Sequence, residues 1–302
     1  MSRMKYALPV LVSLALITPL SPSTAASKIP TVVVQSGGFP TKIIGVPKRI
    51  ISLSPTATET LFAIGAGSQV IAVDDLSNYP ANAPITKLSA FTPNVEALAA
   101  KRPDLIILSV DSTNSMAVRK SLNLLNIPVL MEKAPSQLSD AYSEILAMGL
   151  ATSHVAKAKA LVATMKTSIN KIVSASKRKN SLTFFHELDS TLYSATSKTF
   201  IGHVYADFNL INIADKAAGA DASGYPQLSQ EYLITANPQI IFLGDAQYGE
   251  NAKTLAGRPG WSAIDAVKYG HVVELPSDIP SRWGPRLVQF YQFIADSIAK
   301  IN

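Results

Sequence analysis

The chain reads as an α/β protein: two Rossmann-like lobes with parallel sheets, joined by one long linking α-helix, with a ligand cleft between the lobes. Three observations predict this. Short apolar runs bounded by turn residues alternate with amphipathic stretches, first before and then after a central segment, as in parallel sheets covered by helices. In that central segment apolar residues recur at three–four spacing from Leu138 to Met148 and again from Val155 to Val173, the stripe of a buried helical face. One short pattern, a helix with an early Glu followed by X-Pro and a strand, occurs twice, once at Glu96 and once at Glu231. The implied division is a leader over 1–26, a first lobe over 27–135, a linking helical segment over 136–176 and a second lobe over 177–302.

Each element has its own signal. Arg3 and Lys5 precede an apolar run from Tyr6 to Ile17 and then small residues through Ser27, which is the layout of a secretory signal cut after Ala25 or Ala26. That run is too short to span a bilayer comfortably. Residues 31–35 are expected only to lead into the first lobe. A strand over 49–53 stops at Ser54-Pro55, and Thr56 with Glu59 three residues on gives a capping-box start to a helix that ends at Gly65-Ala66-Gly67. Strands follow over 70–73, 104–108 and 127–131, with helices from Pro93 and over 116–125, and a polar loop over 74–84 carrying Tyr79-Pro80. The linking segment is expected as a helix to Met148, an interruption at Gly149, and a second helix to Ser176 with Thr152 or Ser153 as N-cap. That second helix would be roughly 36 Å long at about 1.5 Å per residue. The second lobe is read as strands over 182–185, 239–243 and 271–275, with helices over 200–208, 229–236, 259–267 and 285–301.

Composition narrows the function. With 47% hydrophobic and 16% charged residues, the chain has ample material for cores and little for disorder. The formal charge of +6 falls to +4 once Arg3 and Lys5 leave. Its basic run, Lys177-Arg178-Lys179, sits at a helix end, where carbonyls favour cations, so nucleic-acid binding is not expected. There are no cysteines, which excludes disulfides, thiolate metal sites, thiol catalysis and a cysteine-linked lipid anchor. Phosphate-loop, His-Glu-x-x-His and Gly-x-Ser-x-Gly patterns are missing, and Gly65-Ala66-Gly67 follows a helix instead of opening one. His154, His186, His203 and His271 are scattered, whereas zinc needs three or four converging ligands. Neither catalytic residues, nor a resident metal, nor a cofactor are expected.

Ligands of open parallel sheets sit beyond the C-terminal strand ends. Those ends carry Ser54 and Pro55, the loop of Tyr79, and the stretches around Ser109, Tyr193, Gly244 and Ser277–Trp283. Tyr79, Phe91, Tyr193, Tyr225 and Trp283 supply aromatic area, and Arg282 and Arg286 supply guanidinium groups for carboxylate, phosphate or amide oxygens. The candidate ligand-binding set is therefore Ser54, Pro55, Tyr79, Phe91, Tyr193, Tyr225, Arg282 and Trp283. Glu96 and Glu231 each suit the positive end of a helix, as caps or as a matched pair of outward docking carboxylates.

Residues 49–59, 96–108 and 277–286 resemble the helical-backbone (class III) periplasmic binding proteins that serve importers of vitamin B12, ferric siderophores and haem. The resemblance runs from Arg49 to the C-terminus. It implies a two-lobed, non-enzymatic monomer, soluble in the periplasm or otherwise exported, that hands its cargo to an ABC permease with its ATPase. It also implies that Glu96 and Glu231 dock on that permease. The cobalamin-binding members are the most similar: by position, Phe91, Tyr193 and Tyr225 match their cleft aromatics and Arg282 their cleft arginine. Phe91 and Tyr225 replace tryptophans and Leu76 replaces a tyrosine, so a cobalamin-type corrinoid, a ferric siderophore and haem all stay open. A bare zinc or manganese carrier of the same transporter class is the alternative, and a secreted hydrolase using His186 is a third reading.

Overall fold

The computed structural model describes Met1 and residues 30–176, 180–217 and 223–301. Apart from Met1, the expected leader lies outside the described residues, as does the basic run 177–179. Residues 31–35 do not merely lead in. β1 (Thr31–Ser36) and β2 (Phe39–Ile44) form an antiparallel hairpin, turned at Gly37 and Gly38, both at positive φ. Its hydroxyls cover an edge of the first sheet: Ser36 Oγ donates to the Met131 carbonyl (2.6 Å) and Thr41 Oγ1 to that of Val129 (2.8 Å).

The first sheet contains β3 (Ile50–Leu53), β4 (Val70–Val73), β5 (Leu105–Ser109) and β6 (Val129–Glu132), all parallel, in the order β4-β3-β5-β6. The second contains β7 (Leu182–Glu187), β8 (Leu210–Asn212), β9 (Ile240–Leu243) and β10 (Val272–Glu274), also parallel, in the order β10-β9-β7-β8. Each lobe thus places its own second strand outside its first and then continues first, third, fourth. The repeated sequence pattern reflects a repeated topology. β8 escapes the sequence reading because it has three residues, the middle one exposed.

The helices are α1 (Pro55–Ala63), α2 (Val95–Ala100), α3 (Ser115–Leu124), α4 (Leu138–Ala151), α5 (Val155–Ala175), α6 (Phe200–Asp207), α7 (Gln230–Ala236), α8 (Ala252–Ala256), α9 (Asp265–Lys268) and α10 (Leu287–Ala299). Several boundaries differ from expectation for local reasons. Ser54, not Thr56, caps α1: its hydroxyl accepts from Ala57 N (3.2 Å), with Pro55 at the first helical position. α4 continues through Gly149, where a Cβ would lie 2.4 Å from the Ala158 methyl, so this glycine marks the crossing of α4 and α5. α4 stops beyond it, with Ser153 at φ +63°. Thr152 Oγ1 donates back to the Met148 carbonyl (2.8 Å), and the N-cap position of α5 falls to His154. The helix expected over 259–267 is broken into a 3-10 turn (Trp261–Ala263) and α9, because Gly260 is left-handed and Ile264 extended. With 21 residues, α5 is about 32 Å long.

One core cluster runs through the inner faces of both sheets. It joins Ile50 and Ile107 of the first lobe to Phe184 and Phe242 of the second by way of Met148 on α4, Met165 on α5 and Phe290 on α10. The outer face of each sheet has its own cluster, around Leu98, Val118 and Leu122 in one and Phe185, Leu233 and Trp261 in the other. The α4–α5–α10 layer is therefore common to both lobes.

Candidate functional site

Strand order reverses between β3 and β5 in the first lobe and between β7 and β9 in the second, and crevices of open α/β sheets form beyond such points. At the end of β3, Ser54 is buried and its hydroxyl engaged in the cap, while Pro55 opens α1. At the end of β4, buried Asp74 accepts from Leu76 N (2.8 Å) and Ser77 Oγ (2.6 Å), which fixes the loop that carries Tyr79. Burial, first of all, raises the Asp74 pKa. Phe91 is anchored beside the end of β5 through its carbonyl, which accepts from Thr113 N (2.7 Å). Tyr193 and Tyr225 come from two adjoining segments of the second lobe, tied by Ser194 N to Pro226 O (2.9 Å) and Thr196 N to Gly224 O (2.8 Å).

These four rings stay open to solvent, at 45% (Tyr79), 65% (Phe91), 41% (Tyr193) and 47% (Tyr225). Lone exposed aromatics are ordinary; these four lie in loops that follow strands of the two sheets, and each offers an open face to a flat partner. Tyr225 also lines a cavity of about 380 Å3 bounded by Pro135 and Ser136 of the first lobe and by Thr199 and Phe200 of the second. Burial and then the Asp111 carboxylate, beyond the end of β5, push the Tyr225 phenol upward, so the two lobes meet here. A larger cavity, about 720 Å3, is elsewhere: Thr41, Lys42, Lys48, Arg119 and Pro128 line it beside the hairpin.

A strap over 277–286 leaves the second sheet and crosses to the first lobe. Arg286 grips buried Glu59 of α1 with Nε (2.9 Å, to Oε2) and with Nη2 on the other oxygen, and its guanidinium lies 4.6 Å over the Tyr79 ring. Arg282 Nε is 3.7 Å from Glu59 Oε1 and Arg282 Nη2 is 4.0 Å from Asp278, while Asn78 Nδ2 donates to Asp278 (2.8 Å). Trp283 is half-buried beside Glu132, the last residue of β6. Burial pushes the Glu132 carboxyl up to about 7. The Ser54 hydroxyl and the Trp283 indole N–H act to lower it, yet neither meets hydrogen-bond geometry with its oxygens.

The second lobe has a matching ion pair. Arg258 Nη1 and Nη2 donate to the two oxygens of buried Glu187 (2.7 and 2.6 Å), with Glu250 a third contact at 2.9 Å and the Trp261 ring 4.5 Å from the guanidinium. Desolvation pushes Glu187 up to about 7, and the bidentate bonds to Arg258 oppose it. Asp245, beyond β9, is buried with no donor on either oxygen. His186 lies in the core with Nδ1 3.0 Å from the Tyr205 hydroxyl; burial lowers it to about 4, so it is a neutral core group and not a base open to a substrate. Among the described residues no group of three or more His, Cys, Asp or Glu is placed to hold a metal ion.

Glu96 and Glu231 occupy equivalent places, in the first turns of α2 and α7, just ahead of the third strand of each lobe. Neither is the cap. Asn94 Oδ1 accepts from Ala97 N (2.9 Å) and Ser229 Oγ from Tyr232 N (3.1 Å), leaving both glutamates exposed. The Glu231 pKa is lowered by its own backbone N–H and then by the Ser229 hydroxyl. Sequence reasoning placed Asp111, Asp245 and Asp278 within the strand-end stretches and Glu59 in the start of a helix without giving any of them a site role, and it missed Glu132; only Asp278, four residues before Arg282, carried a local signal of pairing.

Comparison with known proteins agrees with this architecture. An uncharacterized ABC transporter substrate-binding lipoprotein of Bacillus subtilis is 32% identical over 259 residues, covering 83% of this chain and 80% of the relative. A vitamin B12-binding protein of Pectobacterium carotovorum is 26% identical over 267 residues, 87% of this chain and 92% of the relative. A crystal structure of a possible iron-binding (periplasmic solute-binding) protein from Staphylococcus epidermidis superposes with a TM-score of 0.73 at 27% identity, covering 83% of this chain and 98% of that one. The periplasmic binding protein pattern itself matches residues 50–279, and its members bind solutes without transforming them. With that match spanning most of its length, the chain belongs to the periplasmic binding protein family.

Proposed function

We propose that this chain is the substrate-binding protein of an ABC importer, that it captures a cobalamin-type corrinoid or a ferric siderophore outside the cytoplasmic membrane, and that it delivers this cargo to the permease and its ATPase. The observation that carries the reading is the set of four open rings, Tyr79, Phe91, Tyr193 and Tyr225, at the strand ends of two facing lobes. Burying a large chelate between such surfaces supplies area, and Ser54, Pro55, Arg282 and Trp283 border it with polar and strap contacts. The relatives named for substrate binding, vitamin B12 and iron support the transporter class. Glu96 and Glu231, exposed and equivalent, are the docking carboxylates in this reading.

Native mass spectrometry with absorbance spectra tests the cargo: mixed in turn with cobalamin, ferric siderophores and haem, the protein should retain one coloured ligand at unit stoichiometry. Retention of zinc or manganese alone would overturn the aromatic-cleft reading. Glu96→Ala with Glu231→Ala should abolish uptake in cells while leaving soluble affinity within about twofold; loss of affinity in that pair would remove the docking role.

A further inference from the structure

The cavity of about 720 Å3 beside the hairpin lies between β2, the start of β6 and the last turn of α3. Two of its lining residues, Asp104 and Pro128, directly precede β5 and β6. It therefore sits at the opposite end of the first sheet from the loops of Tyr79 and Phe91. Its cations are Lys42, Lys48 and Arg119, and the one carboxylate in its lining is Asp104. That carboxylate is already engaged: Oδ2 accepts from Lys48 N (2.8 Å) and Arg49 N (3.0 Å). Arg119 is held in place, with its guanidinium 5.0 Å from the centre of the Phe39 ring and Nη2 donating to the Pro40 carbonyl (2.9 Å). Its Nε is buried without a partner, so the fork keeps donor capacity that nothing in the fold uses.

A neighbouring cavity of about 490 Å3 shares Arg119 and Asn123 and adds Lys120, Met116 and Leu124. Among the described residues no carboxylate pairs with Lys42, Lys48, Arg119 or Lys120. Ile44 and Val46 line the first cavity, Met116 and Leu124 the second, and all four are exposed. Exposed apolar side chains are ordinary one at a time. Four of them among four unpaired cations have the make-up of a surface that lies in a lipid headgroup layer, aliphatic groups reaching inward and ammonium and guanidinium groups on phosphate. A free phosphate would leave the apolar rim in water, and a nucleic-acid backbone needs the cations alone. The chain ahead of the hairpin joins this same rim: Thr31 pairs with Ile44, and the Pro30 carbonyl accepts from Gly45 N (2.7 Å).

We propose that this end of the first lobe is a contact surface for an anionic lipid bilayer. The cavity takes the phosphate of a headgroup against Lys42, Lys48 and Arg119, with Lys120 beside them, while Ile44, Val46, Met116 and Leu124 enter the acyl boundary. The loops of Tyr79 and Phe91, at the other end of the sheet, then stay open to solvent. The contact does not depend on which cargo the cleft takes.

The test is cosedimentation with vesicles of phosphatidylglycerol or of phosphatidylcholine, using the chain from Ser27, which lacks the apolar run over 6–17. Phosphatidylglycerol should be bound about tenfold or more tighter, and the preference should shrink as salt rises. Lys42→Ala and Lys48→Ala should each weaken binding by about fivefold, and Leu124→Ser by about threefold. Lys268→Ala removes a cation of the second lobe outside this surface and should leave binding unchanged. Equal binding to both lipids, no loss with Lys42→Ala and Lys48→Ala combined, or an equal loss with Lys268→Ala would overturn the proposal. Saturable binding of glycerol 3-phosphate without binding to either vesicle would overturn it in favour of a free phosphate ester. None of these outcomes bears on the chelate reading, which is tested at the cleft.

Discussion

Glu132 holds a carboxyl at a buried strand end without a hydrogen-bond donor, and burial sets its pKa at about 7 in the folded chain against an ordinary 4.5. The folded state therefore keeps the proton longer than the unfolded state does. The stability this contributes is complete below pH 4.5 and is lost as pH rises through about 7, with a slope approaching about 1.4 kcal/mol per unit. Glu132→Gln keeps the shape and removes the charge. It should raise stability at pH 8 by about 1–2 kcal/mol and flatten the dependence between pH 5 and 8, read from urea midpoints at the two values. Destabilisation at pH 8 would mean that the carboxylate is paired there. His186 works from the other side: its folded pKa of about 4 lies below the usual 6.5, so its contribution is intact above 6.5 and is lost as pH falls toward 4.

At the scale of elements, the crossing of α4 and α5 depends on Gly149. Its missing Cβ lets the Ala158 methyl approach, and neither backbone can yield cheaply because both helices are packed into the shared core. Gly149→Ala should cost about 1–3 kcal/mol by overpacking, in spite of alanine's better helix propensity. Chemical denaturation decides the sign, and a stabilised variant would show that the two helices separate freely. The strap is the second vulnerable element. Arg286→Ala would strand Glu59, whose side chain is almost fully buried, and should destabilise the fold by about 3–5 kcal/mol. A loss below about 1 kcal/mol would mean that water reaches Glu59 and that the strap is held by its other contacts.

At the scale of the molecule, the continuous core through α4, α5 and α10 limits how the lobes move. A wide hinge closure would have to open packing that includes Met148, Met165 and Phe290. Ligand binding should therefore change the radius of gyration by less than about 1 Å, as measured by small-angle scattering with and without a bound chelate. A larger contraction would show that the lobes pivot on α5 and that the core divides there. A nearly fixed cleft also suits recognition by preformed aromatic surfaces, since little ordering free energy is lost on binding.

The alternation of buried strands with helices, the stripe through the linking segment and the twin patterns at Glu96 and Glu231 were legible because they are periodic and local: burial on both faces and along one helical stripe imposes them on the residue order. That was enough for the fold class, the two lobes and the exposed aromatic loops. The rest depends on contacts between residues far apart in the chain. Ser36 and Thr41 make a hairpin of a stretch read as a lead-in because they find carbonyls on β6. Ser54 takes the cap from Thr56 because Pro55 fixes the first turn, and Gly149 stays helical because Ala158 needs its space. Sequence placed guanidinium and aromatic groups in the loops that follow the strands. Only the tertiary structure decided that Glu59, brought 227 positions along the chain to Arg286, would neutralise the strap, because a charge pair of that separation has no signature in the sequence between its partners.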